Sequence, residues 1–226
     1  MDSRYERTLG RVLPGDRLLA VLFCLGLNSL VYWGTQALTA RRELLDLTTA
    51  MDQWFPFAPE WSVVYVGAFP FWIVSYVVLA RGWSWYGVMT AEVLAKLLCG
   101  VCFLLLPTTN VRPELTGAGF GVWLLGMIYR LDAPRNLLPS IHCMESWLCF
   151  AGLRCRRDVP LWGKAAALIC AVLICWSTLA TRQHVLVDVI AGILLAETMM
   201  GLSRHFHWGF RMKSCFGALW QKISAS

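Results

Sequence analysis

Charge is what this sequence has least of. Only 15% of its 226 residues are Asp, Glu, Lys or Arg, where a soluble domain carries nearer a quarter. That scarcity excludes an ordinary water-soluble domain. Histidine is scarce as well, with four in the whole chain. The chain has no H-E-x-x-H, no Walker loop and no doubled C-x-x-C, so nothing visible calls for a metal, and no cofactor is expected. It has no internal repeat and no low-complexity segment. Cysteine is not scarce, at nine residues. Yet Cys24, Cys99, Cys102, Cys149, Cys170 and Cys175 lie in apolar runs, where cysteine behaves as a small hydrophobe. Cys99-Gly-Val-Cys102 has C-x-x-C spacing, but no second pair or loop context supports a redox or metal role.

What is present is apolar: 58% of the chain is hydrophobic. A helix needs about 20 apolar residues to cross a bilayer. Six stretches qualify or come near, at 18–38, 61–80, 86–106, 139–153, 161–180 and 185–202. The expected fold is therefore all-α: a polytopic bundle of six transmembrane helices, forming one integral-membrane domain over 1–226. The first stretch is longer than a signal-peptide core and is expected to be retained. Glu92 and Lys96 fall four apart inside the third stretch, and mutual neutralisation is the expected reason. The apolar segment from Gly117 to Tyr129 is expected to lie in the interface or dip into it.

The net charge of +6 does not require a nucleic-acid partner, and none is expected. Lys and Arg gather in cytoplasmic loops of membrane proteins. With both termini inside, thirteen basic residues fall on the inner side, Arg4, Arg7 and Arg11 among them, against six outside. Both termini are therefore expected in the cytoplasm. Trp33, Trp83, Trp85, Trp162 and Trp208 fall near span ends and are expected in interfacial belts.

Three polar islands interrupt the apolar chain, all on the expected outer side. The first is Thr108-Thr109-Asn110-Val111-Arg112-Pro113; the second is Leu138-Pro139-Ser140-Ile141-His142. The third runs from Ser177 through Arg182 and His184 to Asp188. His184 and Asp188 share a helix face at i,i+4, where a carboxylate can hold an imidazole in one tautomer and stabilise its positive charge. A phosphate-handling site needs a nucleophile near neutrality, a second proton carrier and fixed positive charge. His184 with Asp188, His142, and Arg112 with Arg182 supply these. Ser140 and the amides after Pro139 open a helix, which is a ready anion site. Glu145 lies one turn from His142 and suits either tuning of that histidine or helix pairing.

These residues resemble the type 2 phosphatidic acid phosphatase superfamily. Pro139-Ser140-Ile141-His142 resembles its P-S-x-H motif. Ser177, His184 and Asp188 resemble its S-R-x5-H-x3-D motif, and Arg112-Pro113 the end of its K-x6-R-P motif. The resemblance covers roughly Tyr86 to Leu202. It implies that His184 attacks phosphorus and forms a phosphohistidine, that Asp188 orients it, and that His142 protonates the leaving group and then activates the acceptor. It also implies that Arg112, Ser140 and Arg182 cradle the phosphate. Two cations of the pattern are replaced, by Leu105 and Thr178. This looser pattern, with the Asp52-to-Pro59 segment, is similar to the branch containing inositol phosphorylceramide and sphingomyelin synthases.

The function expected is a metal-independent membrane lipid phosphatase, hydrolysing a lipid phosphomonoester or diphosphate. Its partners would be a phospholipid or polyprenyl phosphate and the bilayer itself. The expected location is the plasma membrane, with the active site on the extracytoplasmic side. The alternative is a lipid phosphotransferase that moves a phosphoryl-headgroup to a lipid hydroxyl. A non-catalytic lipid-phosphate binder is the third reading.

Overall fold

The computed structural model describes residues 13–82 and 84–225. Arg4, Arg7, Arg11 and Trp83 lie outside the described residues. The described residues are all-α apart from one short bridge. Helix α1 (Gly15–Leu38) is followed by a two-residue strand β1 (Leu45–Asp46) and two 3-10 turns (Ala50–Trp54 and Pro59–Trp61). Then come α2 (Ser62–Val66), α3 (Ala68–Leu79), α4 (Trp85–Leu105) and β2 (Thr108–Thr109). The rest is α5 (Phe120–Leu131), α6 (Ile141–Arg154), α7 (Leu161–Ala180), α8 (Leu186–His205) and α9 (Gly209–Ala225). β1 and β2 pair in parallel, Leu45 opposite Thr108.

Sequence chemistry explains where the helices begin and stop. Pro14, Pro160 and Ser140 stand at the N-caps of α1, α7 and α6. Proline costs nothing there, because the first amides of a helix have no intrahelical partner. Pro107 follows α4 and cannot continue its hydrogen-bond ladder. α4 is the central helix. Ala91, Ala95, Cys99 and Phe103, all fully buried, recur every four residues and form one stripe against its neighbours. Its other face shows Leu97, Val101 and Leu105 outward, as a helix facing hydrocarbon should.

Among the described residues, five helical stretches are long and apolar enough to cross a membrane: Gly15–Leu38, Pro59–Leu79, Trp85–Leu105, Leu161–Ala180 and Leu186–His205. The protein is an integral membrane protein. The expected sixth span is not among them. The stretch at 139–153 is α6, 14 residues long and therefore about 21 Å, against about 30 Å of hydrocarbon. α6 sits within the bundle, packed by α3, α4, α7 and α8. Most of its side chains are buried, so its neighbours rather than lipid solvate it. That freedom from lipid is why a short helix bearing His142 and Glu145 is tolerated.

The Gly117-to-Tyr129 segment becomes α5, a 12-residue apolar helix too short to span. It packs against α2 and the Pro59–Trp61 turn with Phe120 and Trp123 exposed. Trp85 corrects the aromatic-belt expectation, because it is fully buried in the core.

The hydrogen bonds between loops define two ends of the bundle. At one, Ala58 N donates to Ala180 O (3.0 Å), Leu45 N to Pro107 O (2.9 Å) and Ser140 N to Asp188 O (3.1 Å). All three polar islands meet there. At the other end, Arg156 binds the carbonyls of Val78 and Leu79, and Ser203 Oγ donates to Gly87 O at 2.7 Å. The start of α1 and the whole of α9 belong to this second end, since Tyr86 donates to Asp16 and α9 packs on α4 and α1.

Candidate functional site

The turn from α7 to α8 carries His184. The carbonyl of Thr178 accepts from both Gln183 N (2.9 Å) and His184 N (3.1 Å). Arg182 takes a left-handed conformation, φ 52°, which is uncommon for a residue with a Cβ. Its surroundings hold it there. Its guanidinium donates to Asp52 O (2.6 Å) and Phe55 O (2.8 Å), and its own carbonyl accepts from Asn110 Nδ2 at 2.9 Å.

Asp188 lies in the first turn of α8, fully buried. Its Oδ2 accepts from Val185 N at 3.0 Å and lies 3.4 Å from His184 Nδ1. The carboxylate thus caps a helix and faces an imidazole at once. Burial alone would lower the pKa of His184, but the Asp188 contact and charge outweigh it and raise the value above 6.5. With Nδ1 turned to Asp188, Nε2 is the ring nitrogen left for chemistry.

His142 opens α6, two residues after Ser140. Ser140 caps that helix, its Oγ accepting from Cys143 N at 3.3 Å. The His142 ring stacks on Tyr65, centroids 4.3 Å apart, and lies near Trp72 and Phe69 at 5.1 and 5.9 Å. The Tyr65 hydroxyl is 3.5 Å from His142 Nδ1. His142 Nε2 is buried with no hydrogen-bond partner, so it is the nitrogen free to meet a ligand.

Both histidines line one cavity of about 220 Å³, together with Tyr65, Trp72, Asp132 and Gln183. Lys96 and Glu145 line it too. Lys96 Nζ is 2.5 Å from Glu92 and 3.2 Å from Glu145, so the expected Glu92–Lys96 pair exists and a second carboxylate joins it. The hydroxyl of Tyr76 donates to Glu92 (3.0 Å) and to Glu145 (2.5 Å). Glu145 therefore pairs helices through Lys96 and Tyr76, one of the two roles its position suggested, and it also lines the cavity.

The remaining site residues stand behind the cavity wall. Arg112 donates to Gln183 Oε1 at 2.7 Å and to the carbonyl of Asp132, and its guanidinium lies 4.6 Å from the centre of the Tyr129 ring. Its Nε has no partner. Arg182 does not line the cavity, because the 52–55 carbonyls take its guanidinium. Of the two replaced cation positions, Leu105 points outward at 67% exposure. Thr178 is buried, its hydroxyl bonded to Cys175 O at 2.8 Å. Among the described residues, no three His, Cys, Asp or Glu side chains gather as a metal-binding group.

Two further groups of residues shape this site: an aromatic stripe that the sequence motifs missed, and Asp52, which opens the Asp52-to-Pro59 segment of the resemblance. Tyr65, Phe69 and Trp72 recur at i, i+4 and i+7, a helical stripe whose spacing was the available signal. Asp52, in the 3-10 turn before α2, accepts from Leu186 N at 2.6 Å and from Thr49 N and Oγ1 at 2.8 Å each. Burial would raise its pKa. The Leu186 and Thr49 donors and the charge of Arg182 hold it below the usual aspartate value.

No curated protein and no solved structure matches the chain. The family model described as PAP2 superfamily matches residues 93–212, just over half of the chain, and spans both histidines, Asp188, Arg112 and Arg182. The match reaches the superfamily and no branch within it. The chain belongs to the PAP2 superfamily, whose activity in general is that of lipid phosphatases and phosphotransferases.

Proposed function

We propose that the protein is a lipid phosphatase that releases phosphate from a lipid phosphomonoester or diphosphate through a phosphohistidine, without a metal. One observation carries this reading: His142 and His184 line a single cavity, each with Nδ1 turned to a neighbouring group. His184 Nε2 attacks phosphorus while Asp188 stabilises the imidazolium that forms. His142 gives its Nε2 proton to the leaving oxygen, then takes a proton from water as that water attacks the phosphohistidine. Arg112 and the amides at the start of α6, capped by Ser140, offset the phosphoryl charge. Arg182 acts indirectly, by fixing the turn that carries His184. The site faces the extracytoplasmic side of the plasma membrane on the strength of the basic-residue bias.

A second reading is a phosphotransferase with the same first step. Asp132, Asn136 and Gln183 also line the cavity, and the Oδ1 of Asn136 and the Nε2 of Gln183 have no partner. The Asn136 oxygen is an acceptor, which an acceptor hydroxyl or a hydroxyl-bearing headgroup can meet and an ionised phosphate cannot.

Purified protein in detergent should release phosphate from one of phosphatidic acid, phosphatidylglycerol phosphate or polyprenyl diphosphate. Release should vanish in His184→Ala and persist in chelator. A new phospholipid formed without phosphate release would replace hydrolysis by transfer. No turnover by a monodisperse protein, with or without lipid acceptors, would leave a lipid-phosphate binder.

A further inference from the structure

We infer that the end of the bundle opposite the histidines carries a second ligand site, a groove that holds the headgroup of an anionic phospholipid. The groove encloses about 710 Å³ where α8 turns into α9. α8 runs 20 residues from beside His184 to His205, which is about 30 Å and close to the thickness of the hydrocarbon core. The groove therefore sits at the opposite membrane boundary, a full helix length from the catalytic cavity. It is independent of the reaction proposed there.

The groove is built rather than incidental. His207 takes a left-handed conformation, φ 55°, and reverses the chain between the helices. Its Nδ1 donates to Arg204 O at 2.6 Å. Gly209 then meets α4 so closely that a Cβ there would lie 2.8 Å from Gly87 N. The Ser203–Gly87 hydrogen bond clamps the same contact.

The lining has two characters. Tyr86, Met200 and Phe210 give apolar walls, while Arg204 and Lys213 supply cations. Among the described residues no carboxylate lines it. Arg204 is exposed and, among the described residues, its side chain reaches the Cys155 sulfur alone, at 3.1 Å; Lys213 is exposed as well. Two cations without a carboxylate, over apolar walls at a membrane boundary, fit a phosphate attached to acyl chains. A free anion would leave the apolar walls unused, and a zwitterionic lipid would bring its own cation against Arg204 and Lys213.

The probe is dioleoyl phosphatidylglycerol, a phosphodiester, added to the purified full chain in detergent and read by native mass spectrometry. Dioleoyl phosphatidylcholine serves as the neutral comparison. We expect selective retention of phosphatidylglycerol. Each basic residue near a membrane surface contributes a factor of about five, so Arg204→Gln with Lys213→Gln should weaken retention about twenty-five-fold, and Lys213→Gln alone about fivefold. Arg81→Gln with Arg157→Gln removes two exposed charges at the same end but outside the groove, and should leave retention intact. Equal loss in both double variants would reduce the effect to general surface charge and overturn the site. So would equal binding of phosphatidylcholine. Displacement by sn-glycerol 3-phosphate at equal concentration would overturn the lipid and leave a free-anion site. Unchanged melting of both double variants excludes unfolding as the cause.

Discussion

Arg182 and Asp52 hold each other across the turn that carries His184. The guanidinium of Arg182 donates to the Asp52 carbonyl, and the Asp52 carboxylate accepts from the amide of Leu186. The anchors fall two residues before and two residues after His184. A loop 130 residues away in sequence thus fixes the His184 backbone on both sides.

This clamp makes stability sensitive to acid. Asp52 has a folded pKa below its unfolded one, so its contribution is complete above the unfolded value, about 3.9, and is lost as pH falls through the folded value. Thermal unfolding in detergent should show wild type losing stability below about pH 4. Asp52→Asn should be less stable at neutral pH, and its deficit should shrink toward pH 3. A deficit that stays constant with pH would refute the clamp's ionic character.

His184 has the opposite sign. Its folded pKa is raised, so the stabilisation from the Asp188 contact is complete below the unfolded value of about 6.5 and is lost as pH rises through the folded one. In the proposed reaction, attack needs the neutral ring. The acidic limb of kcat/KM should therefore lie above pH 6.5. Asp188→Asn should move that limb to lower pH and lower the rate by about 10⁴-fold, as loss of the orienting carboxylate does in serine-protease triads. A limb that does not move would mean that Asp188 does not set the histidine's charge.

Lys96 stands between two buried carboxylates. Removing one partner of a buried ionic group costs about 3–5 kcal/mol, so Lys96→Met should sharply lower the unfolding temperature. The triple change Lys96→Met, Glu92→Gln, Glu145→Gln leaves no unpaired charge and should recover much of the loss. If the single variant melts like wild type, the three groups are not paired as described.

Gly192 of α8 permits the close approach that brings His142 to His184. A Cβ there would lie 2.6 Å from Ser140 O and 3.2 Å from Met144 N, so Gly192→Ala must push α6 away. A displacement near 1 Å costs about a hundredfold in rate, and a fall of that order in kcat is expected for a variant that still folds. Wild-type kcat in Gly192→Ala would show that the spacing of α6 and α8 is not critical.

Local spacing carried much of this protein in the sequence. The apolar runs gave the membrane helices, because lipid demands about 20 apolar residues in a row and a run is visible without any partner. His184 and Asp188 were legible because one helical turn joins them, and Ser140 because a cap acts on its own helix. The burial of α6, the stacking of Tyr65 on His142, the second carboxylate on Lys96 and the turning of Arg182 onto the 52–55 carbonyls were decided only in the tertiary structure. Each is a contact between segments distant in the chain. A short polar helix like α6 is stable only once its neighbours replace lipid around it, and no local pattern encodes those neighbours.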